Sequence, residues 1–424
     1  MIDIIVSKQN LNRAYLHVYR NKGGAGVDKM SVENLKEHLL QYGSTYIEQI
    51  RAGKYQAAPI KGVFIPKGKG KTRLLGIPTV TDRVIQQALH QVLSPIFERD
   101  FQPHSYGFRP HRSAQDALQQ SLSYINEGYQ DIVDIDLKSF FDEVPHDRLM
   151  QLIYEKVKCR LTLKLIRTFL RSPILIKGKL HKRRKGVPQG SPLSPLLANI
   201  LLNELDKVLE ERGHRYVRYA DDFSIYLRSK KAARRVGNNI YVFLRDKLCL
   251  PINREKSGIR RPTTFKILGY GFVPTYQKGE KGKYQFVVKK KSWQTFKQKL
   301  KRLTQKTLPM SFDKRITEIK RSMKGWLNYF KMASIHSKLK KMDEWLRNRL
   351  RYCIWHDWKK PDRKRKNLIR LGVKPDMAYA WSRSRMGGWR IAQSPILGTT
   401  ITLKRLESRG YESLLDYYHR IKHQ

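Results

Sequence analysis

The sequence predicts an α+β protein whose strands gather in its middle and whose last third is helical. Short runs with a period of two, at 131–137, 216–227 and 265–272, read as strands. Apolar residues at helical spacing recur before residue 55, between 81 and 126, and again from 293 onward. At 424 residues, with 40% hydrophobic residues and seven Trp, the chain can bury a sizeable core and form two or three domains.

The charge narrows the partners. Lys and Arg number 86 against 36 Asp and Glu, leaving +50. A polyanion relieves such self-repulsion, and nucleic acid is the first candidate. An anionic membrane is the weaker one, because no run of 18 apolar residues exists and the basic residues are spread along the whole chain. Cys159, Cys249 and Cys353 are far apart, so neither a zinc site nor a disulfide framework is suggested. A reducing, cytoplasmic setting fits, and the first residues do not resemble a signal peptide.

Taken in order, Leu11, Ala14, Tyr15 and Val18 mark a first helix, and a glycine-rich loop at 21–26 ends it. That loop lacks the Gly-Lys-Ser/Thr ending of a phosphate cradle. A second helix runs from about 31 to 42. Residues 56–75 read as a hairpin around Lys67-Gly68-Lys69-Gly70-Lys71, a basic turn able to approach phosphate. Thr81 opens a helix to about 97. Residues 104–112 interleave aromatic and basic side chains, which suits a nucleic-acid strand. Ser113 caps the helix that follows.

The strand at 131–137 places Asp134 and Asp136 on one face and Val133, Ile135 and Leu137 on the other. Carboxylates on so apolar a strand are costly unless a cation meets them. The proline- and glycine-rich loop at 185–195, which carries Gln189, abuts a helix from about 196 to 209. Residues 216–227 form a hairpin with Ala220-Asp221 at its turn and Asp222 beside it. On these residues alone a solvated turn is an equal reading. A helix at 239–248, a turn at 251–257 and a strand at 265–272 follow. A domain boundary is expected near 275–290. Beyond it, the stripes Trp293/Phe296/Leu300/Leu303, Met323/Trp326/Leu327/Phe330 and Leu339/Met342/Leu346/Leu350/Ile354 read as helix core, with basic residues opposite. Residues 359–370 are nearly all basic, and a helix at 411–421 ends the chain.

Asp136 (or Asp134), Asp221 and Asp222 lie on two strands. Brought together, oxygen ligands without His or Cys suit Mg²⁺. Two such ions can clamp the attacking and leaving oxygens of an in-line phosphoryl transfer. The basic turn would hold a triphosphate. The same carboxylates could serve a nuclease, so this chemistry alone does not select synthesis over cleavage.

The order of the pieces resembles a reverse transcriptase of the group II intron-encoded (maturase) type. The resemblance is carried by Ile65-Pro66-Lys67, Tyr106-Gly107-Phe108-Arg109-Pro110, Asp136-Leu137-Lys138-Ser139-Phe140-Phe141-Asp142, the run Pro188 to Pro195, Tyr219-Ala220-Asp221-Asp222, Leu268-Gly269-Tyr270 and Gly325-Trp326-Leu327-Asn328-Tyr329-Phe330. It spans about residue 10 to beyond 350. It implies a right-hand polymerase: an N-terminal extension with a template-covering loop (1–55), fingers (56–130 with part of 155–185), a palm with an antiparallel sheet (131–280), a helical thumb or maturase (X) domain (285–360) and a basic DNA-binding segment (361–424). It implies RNA-directed DNA polymerase activity by two-metal nucleotidyl transfer. The chain would copy its own group II intron RNA and assist its splicing and retrohoming. The implied partners are intron RNA, an RNA template, a DNA primer or target and dNTPs.

Residue by residue, the resemblance implies catalytic carboxylates at Asp136, Asp221 and Asp222, preferring Asp136 over Asp134 for its spacing to Phe141. Leu137 joins them in a site for two Mg²⁺ ions, with Mn²⁺ a possible substitute. Lys67 and Arg73 would bind triphosphate. Phe141 would act as the gate against a 2′-hydroxyl, Gln189 would line the nucleotide pocket, and Lys256 would sit near it. Arg109 would contact template or primer, and Leu268, Gly269 and Tyr270 would form the primer grip. Val27-Asp28-Lys29 departs from the family's usual Asp-Gly in the template-covering loop. No endonuclease-like cluster of cysteines and histidines is present, as in the short IIC type, so second-strand cleavage is not expected. Two alternatives stay open: a reverse transcriptase serving defence, diversification or repair, and a splicing cofactor with a vestigial polymerase site.

Overall fold

A computed structural model describes residues 1–68, 70–276 and 282–422. Lys69 of the expected basic turn and residues 277–281 of the expected linker lie outside the described residues. In chain order the strands are β1 (Ile60–Gly68), β2 (Lys71–Ile77), β3 (Asp131–Asp136), β4 (Ile174–Ile176), β5 (Lys179–His181), β6 (Arg215–Tyr219), β7 (Asp222–Leu227), β8 (Gly258–Arg260), β9 (Lys266–Ile267), β10 (Tyr270–Pro274) and β11 (Tyr284–Val288). The chain divides into two compact units, Met1–Phe265 and Lys266–Gln424. Among the described residues no helix is long and apolar enough to cross a membrane.

Among the described residues the first unit holds two sheets. One has the order β2-β1-β4-β5 and the other β6-β7-β3-β8. In the second sheet β3 runs antiparallel to β7, with Val133 opposite Ile225, Asp134 opposite Ser224 and Asp136 opposite Asp222. Directly opposed residues share a face. One face therefore carries Val133, Ile135, Phe223 and Ile225 into the core. The helix Lys230–Asp246 closes on it, with Gly237 set against Val133. The other face carries Ile132 and Tyr226 at one end and Asp136 and Asp222 at the other. The helix Ala114–Asn126 covers the apolar end, where the Tyr226 hydroxyl donates to Ser121 Oγ at 2.7 Å. Period-two alternation thus sorts the strand as the sequence predicts, and leaves the carboxylate end uncovered by that helix.

Local chemistry sets the helix starts. Ser113 and Asp116 form a reciprocal capping box. The helix expected to open at Thr81 begins at Val80, because the Thr79 hydroxyl accepts from the Asp82 amide at 3.2 Å. Asp82 also accepts from Tyr55, Thr79 and the Ala58 amide. The helix expected to end near 42 runs instead from Leu35 to Arg51.

The second unit corrects two expectations. The single strand expected at 265–272 is broken. Leu268 and Gly269 both have positive φ, 48° and 84°, and turn β9 back on β10 so that Ile267 faces Tyr270. These strands join β11 in a separate sheet of order β11-β10-β9. The division between units accordingly falls before the polar stretch at 275–290. Residues 361–422 belong to this unit as well. Asp343, buried in the helix His336–Asp357, accepts hydrogen bonds from Tyr411, Ser413 and the amides of Leu414 and Leu415. The terminal helix Leu414–Lys422 is therefore anchored in the same core as the helices before it. The three predicted stripes form that core, with Trp326 stacked on Phe296 at 4.4 Å and 8°.

Candidate active site

The β6–β7 hairpin closes through a two-residue turn, Ala220-Asp221, with Tyr219 paired to Asp222. Ala220 has φ 57°. An alanine in this left-handed region costs on the order of 1–2 kcal/mol, so its surroundings must enforce the conformation. Two groups do so. Gly107 lies so close that a Cβ there would stand 2.3 Å from the Ala220 nitrogen. On the core face, Arg218 Nη1 donates to the Ala220 carbonyl at 3.0 Å.

Arg218 is fully buried, because its position in β6 opposite Phe223 turns it toward the core. Its charge is met by buried Asp206, which takes Nε at 2.8 and 2.9 Å and also Nη2. Asn199 accepts from Nη1 at 2.9 Å and Ser105 from Nη2 at 2.6 Å. Asn199 and Asp206 lie two turns apart on one face of the helix Ser194–Glu211. None of these four residues stood out as functional in the sequence. The available signal was Asn199 and Asp206 spaced seven apart among the apolar residues of the helix, with Arg218 next to Val217 in the strand.

The carboxylates occupy one end of this sheet. Asp136 faces Asp222 across the β3–β7 pair, and Asp221 sits in the turn beside them. Asp136 accepts from Lys256 Nζ at 3.0 Å, and its amide donates to Ser257 Oγ at 3.0 Å. Asp134, two positions back, is ion-paired to Arg260 at 2.7 Å. The geometry thus separates the two acids that alternation left tied. Burial raises the Asp221 pKa, and the like charge of Asp136 adds to it, against the lowering influence of Arg73 and Lys67. Asp222 is exposed.

Lys67 and Arg73 lie on β1 and β2, and both line a cavity of about 950 Å³. Phe141 and Gln189 line the same cavity, with Phe108 and Arg83. The Gln189 carbonyl is tied to the Gly76 amide at 2.9 Å, and the Phe141 carbonyl to the Val187 amide at 2.6 Å. Both loops are thereby held at the cavity wall. Gly190, at φ 114°, passes so close to the Gly76 carbonyl that a Cβ there would stand 2.9 Å from it. Lys256 is not among the lining residues and meets Asp136 instead.

Arg109 is a correction. It is buried, ion-paired to Glu98 at 2.7 Å, and donates to the carbonyls of Gln102 and Ser105. It braces its own loop through these partners. Tyr106 is buried as well, and of this aromatic knot it is Phe108 that reaches the cavity. Leu268, Gly269 and Tyr270 lie in the second unit. The Tyr329 hydroxyl donates to the Leu268 carbonyl at 2.8 Å, the Tyr270 hydroxyl donates to the Tyr329 carbonyl, and Gly269 rests on the Phe330 ring.

The donors fit a hard divalent ion: three carboxylates and no nitrogen or sulfur. Leu137 is apolar and buried, so it could serve an ion only through its carbonyl. In this conformation no three acidic, His or Cys groups among the described residues converge as a ready-made ion cage, and Lys256 is the cation on Asp136.

Comparison with known proteins fits this geometry. Residues 65–272 match the family described as reverse transcriptase (RNA-dependent DNA polymerase). Residues 293–372 match the group II intron, maturase-specific domain. Protein YkfC of Escherichia coli (strain K12) is 30% identical over 272 residues, 55% of this chain and 71% of YkfC. The group II intron-encoded protein LtrA of Lactococcus lactis subsp. cremoris is 30% identical over 325 residues, 61% of this chain and 54% of LtrA. This chain therefore matches little more than half of LtrA's length. A solved partial Cas6-RT-Cas1–Cas2 complex is similar at 26% identity and a TM-score of 0.38, covering 58% of this chain and 42% of that one. The chain belongs to the reverse transcriptases, the RNA-dependent DNA polymerases, and among them to the group II intron-encoded proteins with a maturase-specific domain.

Proposed function

We propose that this chain copies an RNA template, its own group II intron RNA, into DNA, and that it binds that RNA to assist splicing and retrohoming. The observation that carries the polymerase reading is the placement of Asp136 opposite Asp222 at one sheet end, with Asp221 in the adjoining turn and within electrostatic reach of the cavity residues Arg73 and Lys67. Asp136, Asp221, Asp222 and the Leu137 carbonyl would hold two Mg²⁺ ions, or Mn²⁺ in their place. When bound, the ions would supply charge neutralisation and activation of the primer 3′-hydroxyl.

The chain's own residues do the rest. Lys67 and Arg73 hold the triphosphate and offset charge as it builds on the transferred group. Phe141 packs where the sugar of the incoming nucleotide lies and excludes a 2′-hydroxyl. Gln189 orients that nucleotide from the cavity wall. Lys256 neutralises Asp136 until substrate and ions arrive. In the second unit, the Leu268–Tyr270 hairpin steadies the primer, and the helices from 290 onward serve as thumb and RNA-binding domain. The maturase-specific match at 293–372 favours the splicing role.

Primer extension on an RNA template with Mg²⁺ and dNTPs tests this reading. Asp222→Asn should abolish extension, and an Asp222→Asn protein that extends primers like the parent rejects the metal assignment. Splicing assays with Asp221→Ala and Asp222→Ala test the second role. Retained splicing marks the RNA-binding function as separate from catalysis. Salt should weaken RNA binding steeply, because many phosphates are neutralised.

A further inference from the structure

We propose that Arg218 is a positioning residue for the catalytic turn: clamped by Asp206, Asn199 and Ser105, it grips the Ala220 carbonyl and so fixes the direction of Asp221 and Asp222. The proposal rests on reading those two aspartates as the metal-binding carboxylates.

A two-residue turn built on alanine at φ 57° has no intrinsic preference for this conformation. Left alone, the peptide between Ala220 and Asp221 can rotate and carry the carboxylate with it. Here its carbonyl is held by Arg218 Nη1 at 3.0 Å. Every N–H of that guanidinium has an acceptor, so its plane is fixed. Asn199 adds a second grip. Its Oδ1 takes Arg218, while its Nδ2 donates to the Gly107 carbonyl at 2.9 Å. Gly107 in turn abuts the Ala220 nitrogen. One side chain thus ties the guanidinium on one side of the turn to the backbone on the other.

A fully buried ion pair is a poor device for stability alone, since apolar residues of similar volume do as well or better. Its location beneath the turn that carries the carboxylates is what a positioning role requires. Lysine cannot replace it, because a point charge cannot engage Asp206, Asn199, Ser105 and a carbonyl in one plane.

The test compares Arg218→Lys, Asp206→Asn and Ser105→Ala with the parent chain, and uses Asp222→Asn as a control. Single-nucleotide extension gives kcat, KM for dNTP and the Mg²⁺ concentration for half-maximal rate. Primer–template affinity and thermal unfolding are measured on the same samples. Displacing a carboxylate by about 1 Å should lower kcat about a hundredfold in Arg218→Lys and raise its Mg²⁺ requirement. Primer–template affinity should stay within about twofold. Ser105→Ala, which removes one hydrogen bond and little volume, should show the same pattern to a smaller degree. Variants that melt earlier yet keep the parental kcat and Mg²⁺ dependence when folded would overturn the proposal. If Arg218→Lys does not fold, Ser105→Ala and Asp206→Asn decide by the same comparison. An active Asp222→Asn would instead reject the underlying reading of the carboxylates.

Discussion

Asp343→Ala should release the C-terminal helix of the second unit. Asp343 is 3% exposed and accepts from the Tyr411 hydroxyl at 2.7 Å, and from Ser413 Oγ and the Leu414 and Leu415 amides at 2.9 Å each. The two amides belong to the first turn of Leu414–Lys422, where helical N–H groups lack partners of their own. Hydrogen bonds to a charged group contribute about 1.5–3 kcal/mol each, which taken alone would overshoot. Removing Asp343 also removes the cost of burying its charge, and the two hydroxyls can rotate toward other acceptors. A net loss of about 3–5 kcal/mol is expected. That is a large part of the roughly 5–15 kcal/mol that holds a typical domain together. The effect should spread, because Tyr417 donates to Asn328 at 3.1 Å, and the neighbouring Tyr329 holds the Leu268 carbonyl. Urea unfolding of the second-unit transition gives the free energy. Hydrogen exchange across 411–422 gives the location. Asp343→Asn keeps one carbonyl acceptor and should cost about half as much. A loss below about 1 kcal/mol, with the amides of 411–422 still protected, would refute the reasoning.

Three further outcomes are expected. Gly107→Ala forces a methyl against the Ala220 nitrogen; it should cost about 1–3 kcal/mol in denaturant melts and reduce extension by about a hundredfold. Burial pushes the Asp82 carboxyl up to about 6 despite its hydrogen bonds from Tyr55, Thr79 and Ala58. The folded state then holds a proton that the unfolded chain releases near 3.8. Stability contributed by this proton is full at the acid end and is lost as pH rises from about 4 to about 6, by up to roughly 3 kcal/mol. Asp82→Asn should flatten that part of a stability–pH profile, and an unchanged profile would remove Asp82 as its source. Phe141→Ala should admit ribonucleotides, measured as a rise in rNTP over dNTP incorporation while Mg²⁺ dependence stays parental.

Much of the carboxylate end of the sheet was legible because strands alternate with a fixed period. The sequence determined that Asp134 and Asp136 share a face, that Asp221 and Asp222 sit at a hairpin turn, and that the basic hairpin ending at Ile77 precedes a long buried helix. Local chemistry also foretold the Ser113 cap. These are properties of neighbouring residues, which backbone geometry fixes without reference to the rest of the fold.

What only the tertiary structure decided depends on which distant residues meet. Register across β3 and β7 sets Asp136 opposite Asp222 and leaves Asp134 to Arg260. Arg109, read as a nucleic-acid contact, is turned inward because Glu98 and two carbonyls satisfy it there. Arg218 reads in sequence as one more cation in a chain of net charge +50. In the fold it is fully buried, because its strand position points to the core and Asp206 waits on a helix to receive it. Charge can be counted along a chain, but whether a charge meets solvent, substrate or a buried partner is set by packing between segments far apart in sequence.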